Sequence, residues 1–188
     1  MSLENGILGF LSIKPQSGYD IKKLFDISAS FFWPANQAQI YRTLKALTKD
    51  GQIELRECTK GITVDKKVFA ITEKGRDAYL KTAAENTVED FISRDVFLMQ
   101  LFFSGGLPEH EQLEFIETQL ENVKLLKQRL IENYEKNLSK FTKTTGLDNN
   151  DRRLHSAVCA HRWGLIKCRE YGIFLEDILN ELKQNHPK

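Results

Sequence analysis

Between Asn36 and Lys49 the chain sets small, amide and cationic residues on one side of a helical period. With Ile40, Leu44 and Leu47 as the buried stripe, Ala38, Arg42, Lys45 and Lys49 point the opposite way at about 100° per residue. Gln37 and Gln39 flank them, and Ala46 adds a second small residue. This set suits a nucleic-acid surface. Small side chains let a helix approach a groove, Arg and Lys reach phosphate or guanine, and Gln pairs with adenine. Lys60, Lys66 and Lys67 follow in a polar stretch further along. A basic helix face by itself is usually only a solvated face, so its weight depends on the elements that position it.

Those elements read clearly. Leu3, Ile7, Leu8, Phe10 and Leu11 form the apolar face of a short helix that stops at Lys14-Pro15. Ser17-Gly18-Tyr19-Asp20 has the form of a capping box and opens a second helix with Ile21, Leu24 and Phe25 inward. The aromatic connection Phe31-Phe32-Trp33-Pro34 leads to Asn36, the expected cap of the third helix. Asp50-Gly51 ends that helix, with Gly where a left-handed conformation is least costly. The period then changes to two. Ile53 and Leu55 alternate with Glu54 and Arg56, and Val68 and Ala70 with Phe69 and Ile71, which predicts a β-hairpin with Lys60, Lys66 and Lys67 at or near its tip. Thr72-Glu73-Lys74-Gly75 opens a further helix. Three short helices and a hairpin are the plan of a winged helix-turn-helix, in which the third helix enters the major groove of double-stranded DNA and the wing touches the backbone.

The chain of 188 residues carries 27 Lys plus Arg and 26 Asp plus Glu, a net charge of +1 that excludes a polycationic or acidic-tail protein. Divided by region the charge is uneven: residues 1–80 hold twelve basic and nine acidic groups, net +3, and the remainder net −2. Hydrophobic residues make up 41% and charged residues 28%, an ordinary globular composition. No run is long and apolar enough to span a membrane. Met1-Ser2-Leu3-Glu4 shows no secretory pattern, and Cys58, Cys159 and Cys168 form no disulfide framework. A cytoplasmic setting is expected.

Ile7-Leu8-Gly9-Phe10-Leu11, Ser17-Gly18-Tyr19-Asp20-Ile21, Gln39-Ile40-Tyr41-Arg42-Thr43-Leu44, Asp50-Gly51 and Lys67-Val68-Phe69-Ala70-Ile71-Thr72-Glu73-Lys74-Gly75 resemble, in order and spacing, the PadR family of bacterial transcriptional regulators. Two positions depart from the family pattern, Ile40 before Tyr41 and Arg42 where proline is frequent, and both are compatible with a helix. The resemblance implies a homodimer on a near-palindromic operator. It places Tyr19 and Tyr41 as braces of the reading head or phosphate contacts, with Lys66 or Lys67 on the backbone. Tyr41 also has a plainer role open to it, packing against the second helix.

The second half is helical. Val88, Phe91, Ile92, Val96, Leu98, Met99, Leu101, Phe102 and Phe103 make a helix apolar on more than one side, ended by Ser104-Gly105-Gly106-Leu107-Pro108. Leu113, Ile116, Leu120, Val123, Leu130 and Tyr134 form a heptad seam in the next. A polar loop over 143–150 precedes the last helix. There Leu154, Val158, His161, Leu165, Cys168, Gly172, Leu175, Leu179 and Leu182 run at alternating spacings of four and three, while Trp163, Ile166, Ile173, Phe174 and Ile178 lie off that seam. Such wide apolar faces call for self-association, and dimerisation is expected along Leu154, Val158, His161, Leu165, Cys168, Leu175, Leu179 and Leu182. The pattern also resembles the longer-armed PadR proteins, whose C-terminal helices form the dimer. The expected architecture is therefore mainly α with a small β-hairpin, a winged helix-turn-helix over 1–80 and a C-terminal helical dimerisation domain over 85–185.

Where His161, Cys168 and Gly172 replace large aliphatics near Trp163, two readings stand. One is a pocket for a small aromatic or apolar effector lined by His161, Trp163 and Cys168. The other is a close helix crossing at Gly164 and Gly172. His155 and Cys159 share a helical face but supply only two ligands, too few to define a zinc site. Cys58 has Arg56 and Lys60 near it to favour a thiolate, and Glu57 to oppose one. No phosphate loop, nucleophile elbow or paired-carboxylate motif is present, so no enzyme activity, metal or cofactor is expected. The expected function is a sequence-specific repressor acting as a homodimer. Its rivals are a winged-helix interaction adaptor and a metal- or redox-sensing regulator built on His155, Cys159 and Cys168.

Overall fold

The computed structural model describes residues 2–59, 66–84 and 95–185. Contacts divide the chain into two compact units, Met1–Asn86 with Lys136–His155, and Thr87–Glu135 with Ser156–Lys188. No described helix is long and apolar enough to cross a membrane.

In the first unit, α1 (Leu3–Ile13) ends as Lys14 turns extended ahead of Pro15, the conformation that proline imposes on its predecessor. The short strand β1 (Gln16–Ser17) follows and leads directly into α2 (Gly18–Ser28). Ser17 Oγ accepts from the Asp20 N–H at 3.2 Å and donates its own hydrogen to Asp20 Oδ2 at 2.6 Å. The recognition-type helix α3 (Gln37–Lys49) starts on a complete capping box, in which Asn36 Oδ1 accepts from the Gln39 N–H and Gln39 Oε1 from the Asn36 N–H. It stops at Asp50, and Gly51 takes φ +69°, where a side chain would be strained.

The hairpin of β2 (Ile53–Thr59) and β3 (Lys66–Ile71) is antiparallel, with a register irregularity between Leu55 and Glu57. β3 is the centre strand, because β1 pairs with its other edge through Gln16–Phe69 and Ser17–Val68. That third strand follows the Lys14-Pro15 turn and is too short for a period-two signal in the sequence. α4 (Glu73–Ala84) closes the head. Ile7, Leu8 and Leu11 of α1, Ile21 and Phe25 of α2, and Ile40, Leu44 and Leu47 of α3 meet Ile53 and Phe69 of the sheet in one core.

The corner between α3 and the wing is fastened by backbone. Thr72 donates its N–H to the Gln52 carbonyl at 3.0 Å and its hydroxyl to the Gly51 carbonyl at 2.8 Å. A Cβ at Gly75 would lie 2.1 Å from the Gln52 oxygen, so α4 reaches this corner only with glycine there.

In the second unit, α5 (Val96–Phe103) is capped by Asp95 and runs into a single 3-10 turn. Val88, Phe91 and Ile92 of the same predicted helix lie outside the described residues. α6 (Glu109–Glu132) follows Pro108 as expected. The seam projected through Tyr134 is interrupted, however. α6 stops at Glu132 with Asn133 as its C-cap, where the Asn133 backbone N–H and side-chain Nδ2 both donate to the Arg129 carbonyl, and a new helix, α7 (Tyr134–Thr145), begins. From Lys136 onward α7 groups with the head unit, where Phe141, Thr145 and Leu147 are buried. It also replaces the start of the loop expected over 143–150.

The long α8 (Arg152–Asn185) runs antiparallel to α6 within the second unit, as the pairings Leu130–His161 and Gln119–Tyr171 show. Ile116, Leu120 and Val123 pack with Cys168, Leu175 and Leu179, and Phe97 of α5 stacks on Phe115.

Gly75→Ala should lower unfolding stability by about 1–3 kcal/mol, as overpacking against a rigid carbonyl does. Urea denaturation of the purified chain measures this, and an unchanged midpoint would show that the corner yields.

Candidate nucleic-acid interface

The exposed side of α3 is as its period required. Ile40, Leu44 and Leu47 are buried, while Asn36, Gln37, Ala38, Gln39, Tyr41, Arg42, Lys45 and Lys49 are exposed. Among the described residues, Arg42, Lys45 and Lys67 form no ion pair. The capping box does restrict two of the amides. The oxygens of Asn36 and Gln39 are engaged at the helix start, so each has only its NH2 to offer a base edge, whereas Gln37 makes no such bond and keeps both groups.

Two tyrosines are exposed on α2 and α3. Tyr19 projects from the first turn of α2 with 66% of its surface exposed, and Tyr41 from α3 with 44%. Between them is buried Gly18, close enough that a Cβ there would stand 2.9 Å from the Tyr41 ring. The Tyr41 ring therefore packs against the start of α2 while part of it faces solvent. Lys67 is exposed on the wing. Lys60 and the side chains of Lys66 and Cys58 lie outside the described residues.

The residues expected at a dimer seam fall elsewhere. Cys168, Leu175 and Leu179 are core residues of the second unit, Leu182 packs on that core, and Val158 and Leu165 are half-buried. His161 Nε2 lies 3.0 Å from the Leu130 carbonyl, with its ring against Tyr134. Leu154 is buried in the first unit. The seam is thus occupied inside one chain, because α6 reverses direction and lays its own heptad stripe along it. Nor do His161, Trp163 and Cys168 share a cavity wall. Cys168 points into the α6–α8 core, whereas Trp163 is 61% exposed, five residues and about 140° of helix away.

Among the described residues no group of three or more His, Cys, Asp or Glu is placed to hold a metal ion. Cys159 is exposed and Cys168 buried, so the two thiols face different surroundings. Burial pushes the Cys168 thiol above its ordinary value, against weaker opposing pulls from Lys127 and Lys167, which leaves it a poor thiolate.

A three-helix head with a wing, a bare cationic recognition helix and a long helical arm define a winged helix-turn-helix transcriptional regulator. The family described as Transcriptional regulator PadR-like matches residues 7–81. The negative transcriptional regulator PadR of Bacillus subtilis is 30% identical over 134 residues, covering 71% of this chain and 74% of that protein. The crystal structure of Bacillus subtilis PadR in complex with operator DNA superposes with a TM-score of 0.80 at 26% identity, over 96% of this chain and 98% of that one. The structure of the same protein with p-coumaric acid gives 0.77 at 25% identity, over the same shares. The chain belongs to the PadR family of transcriptional regulators, which are not enzymes.

Gly18→Ala should push the Tyr41 ring aside and weaken operator binding by about tenfold, a 1.4 kcal/mol effect. In a Tyr41→Ala background the same substitution should cost little more. Fluorescence anisotropy on the four proteins of this cycle measures the coupling, and additive losses would separate Gly18 from Tyr41.

Proposed function

We propose that the chain is a cytoplasmic repressor that binds a pseudo-palindromic double-stranded operator as a homodimer. The observation that carries this is the exposed side of α3, where Arg42 and Lys45 have no ion-pair partner among the described residues, with Tyr19 and Tyr41 exposed on α2 and α3. Residues 1–80 act as the DNA-binding domain. α3 enters the major groove with Gln37, Ala38, Gln39 and Arg42 toward base edges. Asn36, Lys45 and the two tyrosines reach phosphate, and Lys60, Lys66 and Lys67 reach it from the wing. Residues 85–185 form the dimerisation arm, with 136–155 lending support to the head.

The dimer surface we assign is the back of α8. Trp163, Ile166, Ile173 and Phe174 are exposed and fall within about 100° of one another, roughly opposite the Cys168–Leu175–Leu179 stripe. On α5, Val96, Leu98, Met99, Phe102 and Phe103 are also exposed, Phe102 to 80%. Apolar surface on this scale favours a partner of the same kind. Because a relative of known structure binds p-coumaric acid, we also assign this chain a small aromatic effector that adjusts its hold on DNA.

With Arg42, Lys45, Lys66 and Lys67 of both protomers on phosphate, a plot of log affinity against log salt should fall with a slope near −7. A slope shallower than about −2 would remove these contacts. Replacing all four by Ala should abolish repression in cells, and unchanged repression would instead favour the adaptor. Ile173→Asp with Phe174→Asp should convert the dimer to a folded monomer in light scattering. Leu175→Ala, by contrast, should cost about 2–5 kcal/mol of stability.

A further inference from the structure

The first turn of α3 holds two glutamines under different constraints, and the difference decides what each can recognise. Gln39 Oε1 accepts the Asn36 N–H at 2.9 Å, while Asn36 Oδ1 accepts the Gln39 N–H at 2.8 Å. Both donors are backbone groups, so neither amide can be reversed without setting its NH2 against an N–H. Gln39 is nonetheless exposed, and at a spacing of three residues it lies within about 60° of Arg42 around the helix. Side chains tilt toward the helix N-terminus, the end that a recognition helix presents to base edges. Gln37 is exposed as well, and its side chain forms no hydrogen bond among the described residues. It keeps an acceptor and a donor, whereas Gln39 has committed its acceptor to the backbone.

A glutamine reads adenine by offering both groups in one plane, its oxygen accepting from N6 and its NH2 donating to N7. Gln39 could do so only by releasing the Asn36 N–H, which would then lose its partner at the helix start. The group it gives without loss is the NH2. In the major groove a donor alone fits guanine best, because O6 and N7 are both acceptors, and cytosine worst, because N4 is itself a donor. We infer that Gln39 is a specificity-determining residue that selects guanine, and that the capping box is what denies it adenine. The inference rests on the reading above in which α3 enters the major groove. Gln39→Glu isolates the effect. One carboxylate oxygen still accepts the Asn36 N–H, so the box survives, while the other replaces the donor with an acceptor suited to cytosine N4.

Selection of bound sequences from a random duplex library by the full-length protein at low salt, followed by sequencing, tests this. One pair of each half-site should be G·C, preferred over A·T by about tenfold, the lower end of what a side-chain contact to a base supplies. Gln39→Glu should invert that pair to C·G by a similar factor and leave the other pairs of the half-site as they were. A residue that served only to cap the helix would not move the selected sequence, since this substitution conserves the cap. Gln39→Ala should flatten the preference at the same pair, and it stands in if Gln39→Glu fails to fold. An A·T pair at the responding position, or a selected sequence that the substitutions leave unaltered, would overturn the assignment and leave α3 in the groove. Selection of no sequence by the unaltered protein would overturn the assignment together with the reading of α3 on which it rests.

Discussion

The carbonyl oxygen of Gln52 stands where a side chain at position 75 would begin, and the geometry of the head follows from that contact. With hydrogen alone on Gly75, α4 closes against the end of α3, and Thr72 ties both Gly51 and Gln52 to the start of α4. The recognition helix, the wing and α4 then form one rigid corner around the core of Ile40, Leu44, Leu47 and Ile53. Because α3 cannot roll about its axis without exposing those aliphatics, Arg42 and Lys45 are held outward. Cations that bind phosphate need such support, since an affinity built from several modest contacts is lost if they do not align together.

The arm is governed by the two-sidedness of α8. One stripe, through Cys168, Leu175 and Leu179, is covered by α6 of the same chain. The other, through Trp163 and Phe174, is left exposed among the described residues. A helix of 34 residues with two opposite apolar faces is an intermediate layer, and a layer on each side is its stable arrangement. The arm therefore completes its own fold with the first face, and the second is the surface proposed for association.

Most of the head is legible in the sequence. Period, caps and breakers placed α1, α2, α3, the hairpin and α4, because each is a local pattern whose apolar stripe has one place to go. The exposed residues of α3 followed from the same stripe. Less legible were the features that depend on contact across the fold: β1 as a third strand, the capping box that engages the oxygens of Asn36 and Gln39, and the Tyr41 ring on Gly18. In the arm the heptad stripe of α8 points to a dimer seam, whereas Cys168, Leu175 and Leu179 pack against α6 of the same chain. A heptad stripe records that a partner exists and carries no mark of which chain supplies it.

From sequence alone came the class of fold, the family and the cationic helix, since all three rest on local spacing and residue type. Tertiary structure alone decided that α6 stops at Asn133 and α7 joins the head unit, that α8 uses its heptad face internally, and that Gln16 is buried as part of a third strand. Each of these depends on where segments distant in the chain come to lie, and the free energy that settles it comes from burial and hydrogen bonding between them rather than from the preferences of any one segment.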